Sequence, residues 1–391
     1  MSHGDQTAPD LPAAVAAAVA PLDHPAAVAA HPAVRRAAAL ARDVLEPSAQ
    51  DVDVEGVTRE RVDLVAAAGL LGLAAPPADG GEGAPADVAR AVTEELSGAC
   101  GSTWFVATQH GMPLQYALRT ENGPLRERLL PAMGRGELLS GVAVSHLRRR
   151  GGTPPVRACR DGDGWLVDGT VGWFTGWGLA DVLLLGAVAD DDRALFAFLP
   201  AREQPGLTPG APMALAAMEA TGTTTLHLDG LRVTDADVAD LAPLEPWLEA
   251  DAARTANVTP AVFGLLRTIV RRLATWADAT GSADGLDLAA ALAAEGGGLR
   301  SEAYALIDDL PAEAAVEDRL ALRAAALELL NRSAAALVAS GAGMSMSLRS
   351  PNQRLAREAL FHLIQAQTAP VRTALLRRYS DLAPTLPGRL G

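Results

Sequence analysis

Four consecutive residues, Trp173-Phe174-Thr175-Gly176, have the types that a flavin or a similar planar redox cofactor needs around its ring. An aromatic side chain can form a wall, a hydroxyl group can bond the polar ring edge, and a glycine lets the backbone approach closely. In this interpretation Trp173 is the wall, Thr175 supplies the hydroxyl and Gly176 leaves the space. The alternative is a Trp/Phe packing pair on a buried strand, which the four residues alone do not exclude.

Composition excludes several other chemistries. The chain of 391 residues has a formal net charge of −14, whereas nucleic-acid binding needs a basic surface. The sequence contains no lysine, so Schiff-base catalysis and P-loop phosphate transfer, which both use a lysine amine, are excluded. The only cysteines are Cys100 and Cys159, and no Cys/His spacing is typical of a zinc site. We therefore expect no metal and a reducing, cytoplasmic environment.

Helical and strand-like patterns occur in three successive blocks, which predicts an α+β fold with separate helical and sheet domains. Residues 32–137 show apolar residues at helical spacing. Residues 138–243 contain roughly six to eight short Val-, Leu- and Thr-rich runs between turn residues, which is typical of a β-domain. Helical spacing returns over residues 244–391.

The first block is preceded by residues 1–31, which are predicted to be a disordered or loosely helical tail without a secretory signal. Apolar runs elsewhere are interrupted before about 18 residues, so we expect no membrane-spanning helix. Residues 85–118 are predicted to be helical throughout, and residues 247–279 are predicted to form one long helix kinked at Pro260.

Four sequence blocks in consistent order and spacing carry a resemblance to a known family. Residues 64–83 end in a Gly-rich turn, 126–145 contain "LPAMGRGE", 161–187 contain "GWLVDGTVGWFTGWGLAD", and 227–238 form the last predicted strand. Together they resemble the acyl-CoA dehydrogenase superfamily over residues 32–382, of which the chain is identified as a divergent member. The resemblance implies an N-terminal helical domain, a central β-barrel-like or β-sandwich domain and a C-terminal four-helix bundle, assembled as a homodimer or homotetramer.

The same resemblance implies FAD as the cofactor. The segment from Trp173 to Gly176 would contact the flavin ring, with Thr175 near its reactive nitrogen, and Val144 and Ser145 would bind the pyrimidine edge. After this loop the family usually has Glu-Pro-Gly, whereas this chain has three arginines at residues 148–150. These arginines could hold a pyrophosphate or the phosphates of a carrier-bound substrate, and a solvated loop is the alternative.

Dehydrogenases of this family remove the α-proton of an acyl thioester with a carboxylate, and a hydride leaves the β-carbon for the flavin. The usual glutamate falls on Ala366, and the position used by some relatives falls on Ala253, beside Arg254. The nearest carboxylates, Glu249 and Asp251, are therefore candidate bases, although a solvated first helical turn is their simpler interpretation. Arg254 is a candidate substrate contact.

A second arm of the superfamily comprises monooxygenases that activate oxygen on reduced flavin. Thr103 and Trp104 follow a Gly-Ser pair that resembles a helix motif of these enzymes, which implies Thr103 at the cofactor and Trp104 at the substrate. The histidine of their last helix falls at or beside Gln365, and the nearest histidine here is His362, a candidate acid or base. His110 is a further substrate-site candidate, although a single helical histidine is more often structural.

Three functions remain open at this stage. The first is FAD-dependent desaturation of an acyl thioester with a displaced base, which implies an electron-transfer flavoprotein as partner. The second is monooxygenation of a small or carrier-bound molecule, with reduced FMN or FAD supplied by a flavin reductase. The third is a catalytically degenerate partner subunit, because residues 277–284 lack the Arg and Phe with which the family contacts the neighbouring subunit's FAD.

Overall fold

The computed structural model describes residues 11–149 and 151–382. Within them, two helical regions flank one sheet of eight strands, which confirms the predicted α+β class with its helical N-terminal and C-terminal domains. None of the helices in these two ranges is long and apolar enough to cross a membrane.

Nine α-helices precede the sheet in the described part of the chain. In chain order they are α1 (Ala13–Val19), α2 (Ala26–Ala29), α3 (Pro32–Leu40), α4 (Ala49–Glu55), α5 (Arg59–Ala67), α6 (Ala86–Ala99), α7 (Gly101–Thr108), α8 (Gly111–Arg119) and α9 (Gly123–Gly134). Polar side chains cap three of the starting points, and at α3 His31 Nδ1 accepts from the backbone N–H two residues later. Thr58 Oγ1 accepts from the Arg61 N–H at α5, and Asn122 Oδ1 accepts from the Leu125 N–H at α9.

The segment predicted as a loose tail is packed instead. Val15 and Leu22 are at most 1% exposed and belong to the hydrophobic core of the C-terminal helices. His24 Nε2 lies 2.8 Å from Glu95 Oε1 of α6, so the segment also contacts the N-terminal helical region. The prediction of a loose tail is wrong here because these few apolar side chains find a core on another part of the chain. Residues 1–10 lie outside the described residues.

The segment 85–118, predicted as continuous helix, is divided into α6, α7 and α8. The first break lies at Cys100, whose backbone is extended with a φ of −154°. Gly98 and Gly101 flank this residue, and glycine lowers helix stability by about 1 kcal/mol relative to alanine. Packing also requires Gly98, since a Cβ there would lie 2.7 Å from the carbonyl oxygen of Gly264. The continuous-helix prediction is therefore wrong at a close contact between helices.

Eight strands follow, joined into one sheet in the order β6-β7-β3-β2-β4-β5-β8, with β1 pairing parallel to β4. They are β1 (Ser140–Ala143), β2 (Val156–Asp161), β3 (Gly164–Phe174), β4 (Val182–Ala189), β5 (Arg193–Pro200), β6 (Leu207–Pro209), β7 (Thr224–Thr234) and β8 (Val238–Pro243).

The sheet separates two hydrophobic cores. Adjacent side chains of β4, Leu183 and Leu184, point to opposite faces, as the pleat of a strand requires. The Leu183 face holds Phe174, whereas the Leu184 face packs Phe196 against Trp247 with ring centroids 5.4 Å apart. The sheet thereby positions the start of the candidate cofactor segment at the end of β3 and the chain that follows β1.

Six α-helices follow the sheet in the described residues: α10 (Leu244–Ala256), α11 (Pro260–Thr280), α12 (Ala283–Asp309), α13 (Val316–Ser340), α14 (Pro351–His362) and α15 (Ala369–Leu382). Residues 247–279 are thus two helices and not one kinked helix. Thr259 is extended and Pro260 begins α11, because proline disfavours helical backbone in the residue before it and suits a first helical position. We propose residues 32–137, 138–243 and 244–391 as domains, with the packed N-terminal segment added to the last.

Candidate active site

The end of β3 presents successive side chains to different surroundings. Trp173 is 54% exposed, whereas Phe174 is fully buried and Thr175 is buried. Phe174 lies in the sheet core against β1, where a Cβ on Gly141 would come within 2.5 Å of its ring. Phe174 as a cofactor contact stays a prediction, with its ring fully buried in this core. Trp173 is the aromatic side chain of this pair that a ligand can reach.

Three threonine hydroxyl groups form a hydrogen-bonded chain at the end of β3. Thr175 Oγ1 lies 3.0 Å from Thr223 Oγ1, which lies 2.9 Å from Thr221 Oγ1. Gly176, with a φ of +81°, donates its N–H to the Thr221 carbonyl at 2.9 Å. Sequence reasoning missed Thr221 and Thr223, and the signal for them was the small-residue run before β7. The hydroxyl of Thr175 is thus held in place by protein partners.

The loop after β1 is anchored on both sides of its exposed hydroxyl. The side chain of Val144 is buried and Ser145 is exposed. His146 Nε2 lies 2.7 Å from the carbonyl oxygen of Gly186 in β4. This nitrogen must donate, so Nδ1, which has no partner among the described residues, is an acceptor. Leu147 is buried over the same glycine. Val144 and Ser145 therefore occupy a fixed edge of the site.

An ion pair joins this loop to α10. Arg148 donates to both carboxylate oxygens of Asp251 at 2.6 and 3.0 Å, and Arg254 approaches the same carboxylate at 3.6 Å. Asp251 stays a predicted base, with both of its oxygens accepting from Arg148. Glu249, the other predicted base, is exposed on α10 and also stays a prediction. Arg150 lies outside the described residues.

Helix α7 turns one of its predicted site residues inward. Thr103 Oγ1 accepts from Arg61 Nε at 2.7 Å and lies 3.2 Å from Cys100 Sγ. Thr103 has no exposed surface, and its role as a cofactor contact stays a prediction. Ser102 Oγ instead lies 3.8 Å from Met218 Sδ, which connects α7 to the turn that carries Thr221.

Trp104 and His362 form a buried ring pair between α7 and α14. Their ring centroids lie 5.4 Å apart, and Phe361 packs edge-on against His362 at 5.7 Å. Neither Trp104 Nε1 nor His362 Nδ1 has a hydrogen-bond partner among the described residues. Burial, and secondarily the charge of Arg323, lowers the pKa of His362 to about 3. His362 is therefore a neutral imidazole whose Nδ1 is not bonded to the described part of the protein.

His110 has a structural environment. Its Nε2 donates to the Met133 carbonyl at 3.0 Å, and its Nδ1 accepts from the Ser140 N–H at 3.2 Å. Burial lowers its pKa to about 4. Both ring nitrogens are bonded to protein atoms that join α8, α9 and β1, which favours a structural role, and the substrate contact stays a prediction.

The turn after α14 is held by a buried arginine of α13. Arg323 donates to the carbonyl oxygens of Gln365 at 2.8 Å and Ala366 at 3.5 Å, and also to that of Thr255 at the end of α10. Ala366 has a φ of 48°, so this turn is tightly specified. The structure thus fixes the backbone of Gln365 and leaves its side chain half-buried.

Glu358 is a buried carboxyl group that sequence reasoning treated only as part of a motif. Its Oε1 accepts from Arg354 Nη1 at 2.6 Å, and its Oε2 has no side-chain or backbone partner that meets hydrogen-bond criteria within the described residues. Burial raises the pKa of this carboxyl, against the lowering effect of Arg354. Glu358 abuts Gly101 at the start of α7, where a Cβ would lie 2.8 Å from its carboxyl carbon.

These contacts connect the candidate residues in a closed circuit. The hydroxyl chain joins the end of β3 to the turn before β7, and Met218 of that turn contacts α7. The ring pair joins α7 to α14, and Arg323 joins the turn after α14 to α10. The Arg148–Asp251 pair joins α10 to the loop after β1, and β1 itself packs on Phe174 of β3. An exposed aromatic wall beside fixed hydroxyl groups suits a planar heteroaromatic cofactor, so the residues present fit a flavin.

Two cavities adjoin this circuit. One of about 410 Å³ lies behind the loop after β1 and is lined by His146, Leu147, Arg149, Leu244 and Leu248, among others. The other, of about 180 Å³, is mostly apolar and lies beside Trp104, between α6, α7 and α8. Both are of a size that admits part of a small-molecule ligand.

Sequence comparison places the first helical region in a known family. Residues 30–137 match the family described as acyl-CoA dehydrogenase, N-terminal domain. Among curated proteins, cyclohexane-1-carbonyl-CoA dehydrogenase of Syntrophus aciditrophicus is 29% identical over 211 residues, which are 51% of this chain and 53% of that protein. The chain spans about half the length of the curated relatives it matches.

Solved structures share the whole fold. Glutaryl-CoA dehydrogenase from Mycobacterium smegmatis superimposes with a TM-score of 0.75 at 18% identity, over 92% of this chain and 95% of that one. Dibenzothiophene monooxygenase from Paenibacillus sp. A11-2 gives a TM-score of 0.74 at 17% identity, over 90% and 97%. At such identities the likeness concerns the fold, which both types of enzyme have.

Proposed function

This chain belongs to the acyl-CoA dehydrogenase superfamily, and from that premise we propose that it is an FAD-dependent oxidoreductase that desaturates an acyl thioester or a related small molecule. The observation that carries the proposal is the exposed Trp173 beside the buried Thr175–Thr223 hydroxyl pair. A bound flavin supplies a two-electron acceptor at this place.

Each side of the flavin ring has proposed partners in the chain. Trp173 forms the wall, and the hydroxyl of Thr175 bonds the ring edge because Thr223 keeps it oriented. The backbone N–H of Val144 and the exposed hydroxyl of Ser145 bond the pyrimidine edge. Gly176 leaves room for the ring beside α7, where the nearest atom to an added Cβ is 3.7 Å away on Val106.

The substrate is proposed to enter from the α10 side. The carrier arm of a thioester fits the 410 Å³ cavity behind the loop after β1, which combines apolar side chains such as Leu244 and Leu248 with Arg149. Trp104 and Arg254 are retained as proposed substrate contacts, because Trp104 has an unbonded Nε1 and the side chain of Arg254 is 48% exposed.

A proton acceptor is the part of the mechanism for which the chain departs most from the family. Ala366 and Ala253 carry no acid, and Asp251 is occupied by Arg148. We propose His362 as the acceptor, because its neutral ring has one nitrogen without a partner in the described residues. Its low pKa makes it a weak base, so turnover is expected to be slow. The amide of Gln365 is proposed to bond the substrate carbonyl.

The test is flavin titration followed by dye reduction. Purified protein is expected to bind FAD in a one-to-one ratio, with a changed flavin absorbance spectrum, and to reduce an artificial electron acceptor with an acyl thioester. His362→Gln is expected to bind FAD normally and to lose dye reduction. A protein that neither binds FAD nor reduces dye with any acyl thioester would contradict the proposal and favour a non-catalytic partner subunit.

A specific observation favours monooxygenation as the second candidate. Trp104 Nε1 and His362 Nδ1 are unbonded and close together, whereas Asp251 and Glu358 are paired with arginines. Such a site can donate hydrogen bonds to an oxygen-derived group from Trp104 Nε1 and, in the tautomer protonated at Nδ1, from His362. Reduced FMN or FAD from a flavin reductase, with oxygen, is then expected to give a hydroxylated product. No product under these conditions, together with dye reduction in the first assay, would eliminate this candidate.

The expected partner protein depends on which of the two reactions the protein catalyses. For the dehydrogenase we propose an electron-transfer flavoprotein as oxidant, and for the monooxygenase a flavin reductase. We also propose a homodimer or homotetramer, in line with large exposed apolar side chains such as Leu360, Ile364 and Leu376 on α14 and α15 and their connection. Light scattering of the purified protein measures the assembly directly.

A further inference from the structure

An excess of positive charge lies where the loop after β1, α10 and α13 meet. Arg148, Arg254 and Arg323 are here called the arginine cluster, and Asp251 is the carboxylate that forms ion pairs with its members within the described residues. Asp251 is held by Arg148 and approached by Arg254, and it forms no ion pair with Arg323. Three cations and one anion leave this part of the site with uncompensated charge.

Arg323 is the least compensated member. It is 4% exposed, and its partners in the described residues are the carbonyl oxygens of Thr255, Gln365 and Ala366. Burial, and secondarily the charge of Arg148, lowers its pKa to about 10. Buried charges in proteins are normally paired, because carbonyl groups alone do not repay the loss of water.

A neighbouring arginine shows that the structure can bond every nitrogen of such a group. Arg319, one helical turn before Arg323, donates to Asn257 Oδ1 at 2.5 Å and to four carbonyl oxygens around the end of α12. Its Nε, Nη1 and Nη2 all donate, and the guanidinium caps the helix end. Within the described part of the chain Arg323 donates through Nη1 and Nη2 only, so a structural role accounts for part of its bonding capacity only.

We propose that the arginine cluster binds a carboxylate on the acyl part of the substrate, so that this protein acts on the thioester of a dicarboxylic acid. The inference rests on the proposed function and names the substrate class for the same site. A carboxylate matches the planar fork of a guanidinium through paired charge-assisted hydrogen bonds.

The position of the arginine cluster favours an acyl carboxylate over a phosphate of the carrier arm as its ligand. Arg323 holds the turn of Gln365 and Ala366 and is close enough to His362 to lower its pKa, which places it at the proposed reacting end. The proposed arm cavity is lined by a different arginine, Arg149. The arginine cluster therefore meets the acyl group, whereas a phosphate would lie nearer Arg149.

Three probes, two thioesters and one phosphorylated thiol, separate the two sources of negative charge. Glutaryl pantetheine carries a carboxylate and no phosphate, its methyl ester carries neither, and 4′-phosphopantetheine carries only a phosphate. Calorimetric titration of the full-length protein is expected to show about tenfold tighter binding of the acid than of its ester. Equal affinity for the acid and the ester would overturn the proposal.

Substitutions in the arginine cluster test whether these residues cause the tighter binding of the acid than of its ester. Arg323→Met and Arg254→Gln are each expected to reduce the acid-over-ester ratio from about tenfold to below about threefold. Arg149→Gln is the matched control and should keep the ratio. If Arg323→Met does not fold, Arg254→Gln decides, because its side chain is 48% exposed and can be changed without opening the core. Retention of the full ratio in Arg254→Gln would contradict the proposal.

The titrations distinguish two ways in which the proposal can fail: a carrier phosphate bound at the cluster, and a protein that binds no flavin. If 4′-phosphopantetheine binds tightly and loses affinity in Arg323→Met or Arg254→Gln, the anion at the cluster is a carrier phosphate and the proposal is overturned. The titrations do not need flavin chemistry. Acid-selective binding by a protein that binds no FAD would therefore support the anion site while contradicting the proposed function.

Discussion

At the residue scale, Trp173 differs from its strand neighbours because it remains exposed while the residues around it enter the core. Trp173→Ala is expected to weaken FAD binding by about 0.5–1.5 kcal/mol, the usual worth of an aromatic stacking contact. The free energy of unfolding should change by no more than about 0.5 kcal/mol, since little buried area is lost. Fluorescence titration with FAD measures the first and urea unfolding the second.

Trp173→Phe is the matched control, because it keeps an aromatic wall and should retain most of the affinity. If Trp173→Ala and the wild type bind FAD equally, Trp173 is a surface side chain and the flavin assignment loses its main support.

A second prediction at this scale concerns acid stability. The pKa of His110 is lowered by burial to about 4, from an ordinary value of 6.5. Protonation is therefore penalised in the folded state, so this histidine's contribution is fully present above pH 6.5 and is lost as pH falls towards 4. Between pH 7 and pH 5 the loss amounts to about 2 kcal/mol.

His110→Gln isolates that contribution. Its free energy of unfolding at pH 7 should lie below that of the wild type, and the difference should shrink by about 2 kcal/mol at pH 5. His227→Gln is the control, because His227 is exposed on β7 and its change should leave the pH dependence unaltered. A difference between His110→Gln and the wild type that stays constant from pH 7 to pH 5 would contradict this account.

At the element scale, the loop after β1 is positioned by one ion pair. Asp251 is buried and accepts two hydrogen bonds from Arg148. Asp251→Asn is expected to cost about 3 kcal/mol of stability, because it removes one partner of a largely buried pair. Amide hydrogen exchange over residues 144–149 should accelerate, since the loop then loses its attachment to α10.

Exchange in α13 and β4 serves as the internal control and should change little in this variant. If the amides of residues 144–149 keep wild-type protection while the protein loses stability, the ion pair stabilises the fold globally and does not position the loop.

The sequence predicted the helices and strands better than it predicted where they end and what they contact. Local patterns were sufficient to predict helices and strands. The change from helical to strand-like patterns near residue 138 agrees with the observed sheet, whose first strand begins at Ser140. The break at Cys100 depends on how closely α6 packs against Gly264, and that contact between distant residues leaves no local pattern. The break before Pro260 did have a local signal, since proline restricts the residue that precedes it.

For the site residues too, local sequence indicated the residue types but not their contacts with distant residues. Residue types correctly indicated an available aromatic side chain at Trp173, but they could not show that Thr103 bonds Arg61 or that Asp251 bonds Arg148. Each of these bonds joins residues at least 42 positions apart in the chain. The orientation of a side chain on a helix is fixed by such tertiary partners, so a motif alone does not distinguish a ligand contact from a core contact.

At the scale of the whole molecule, the N-terminal segment binds two helical regions together. Leu22 is 1% exposed and shares the core of the C-terminal bundle, and the nearby His24 contacts Glu95 of α6. Arg267 of α11 also donates to the same Glu95 at 2.6 Å. The segment therefore adds both apolar and polar contacts where the N-terminal helices meet the bundle.

Leu22→Ala is expected to lower the free energy of unfolding by about 2–5 kcal/mol, as for other buried leucines that leave a cavity. Leu11→Ala is the matched control in the same segment, because Leu11 is 43% exposed and its change should cost no more than about 0.5 kcal/mol. Urea unfolding followed by far-UV circular dichroism measures both. Equal stability of the two variants would mean that the segment is not part of the cooperative core, and the packed N-terminus would then contribute little to holding the two helical regions together.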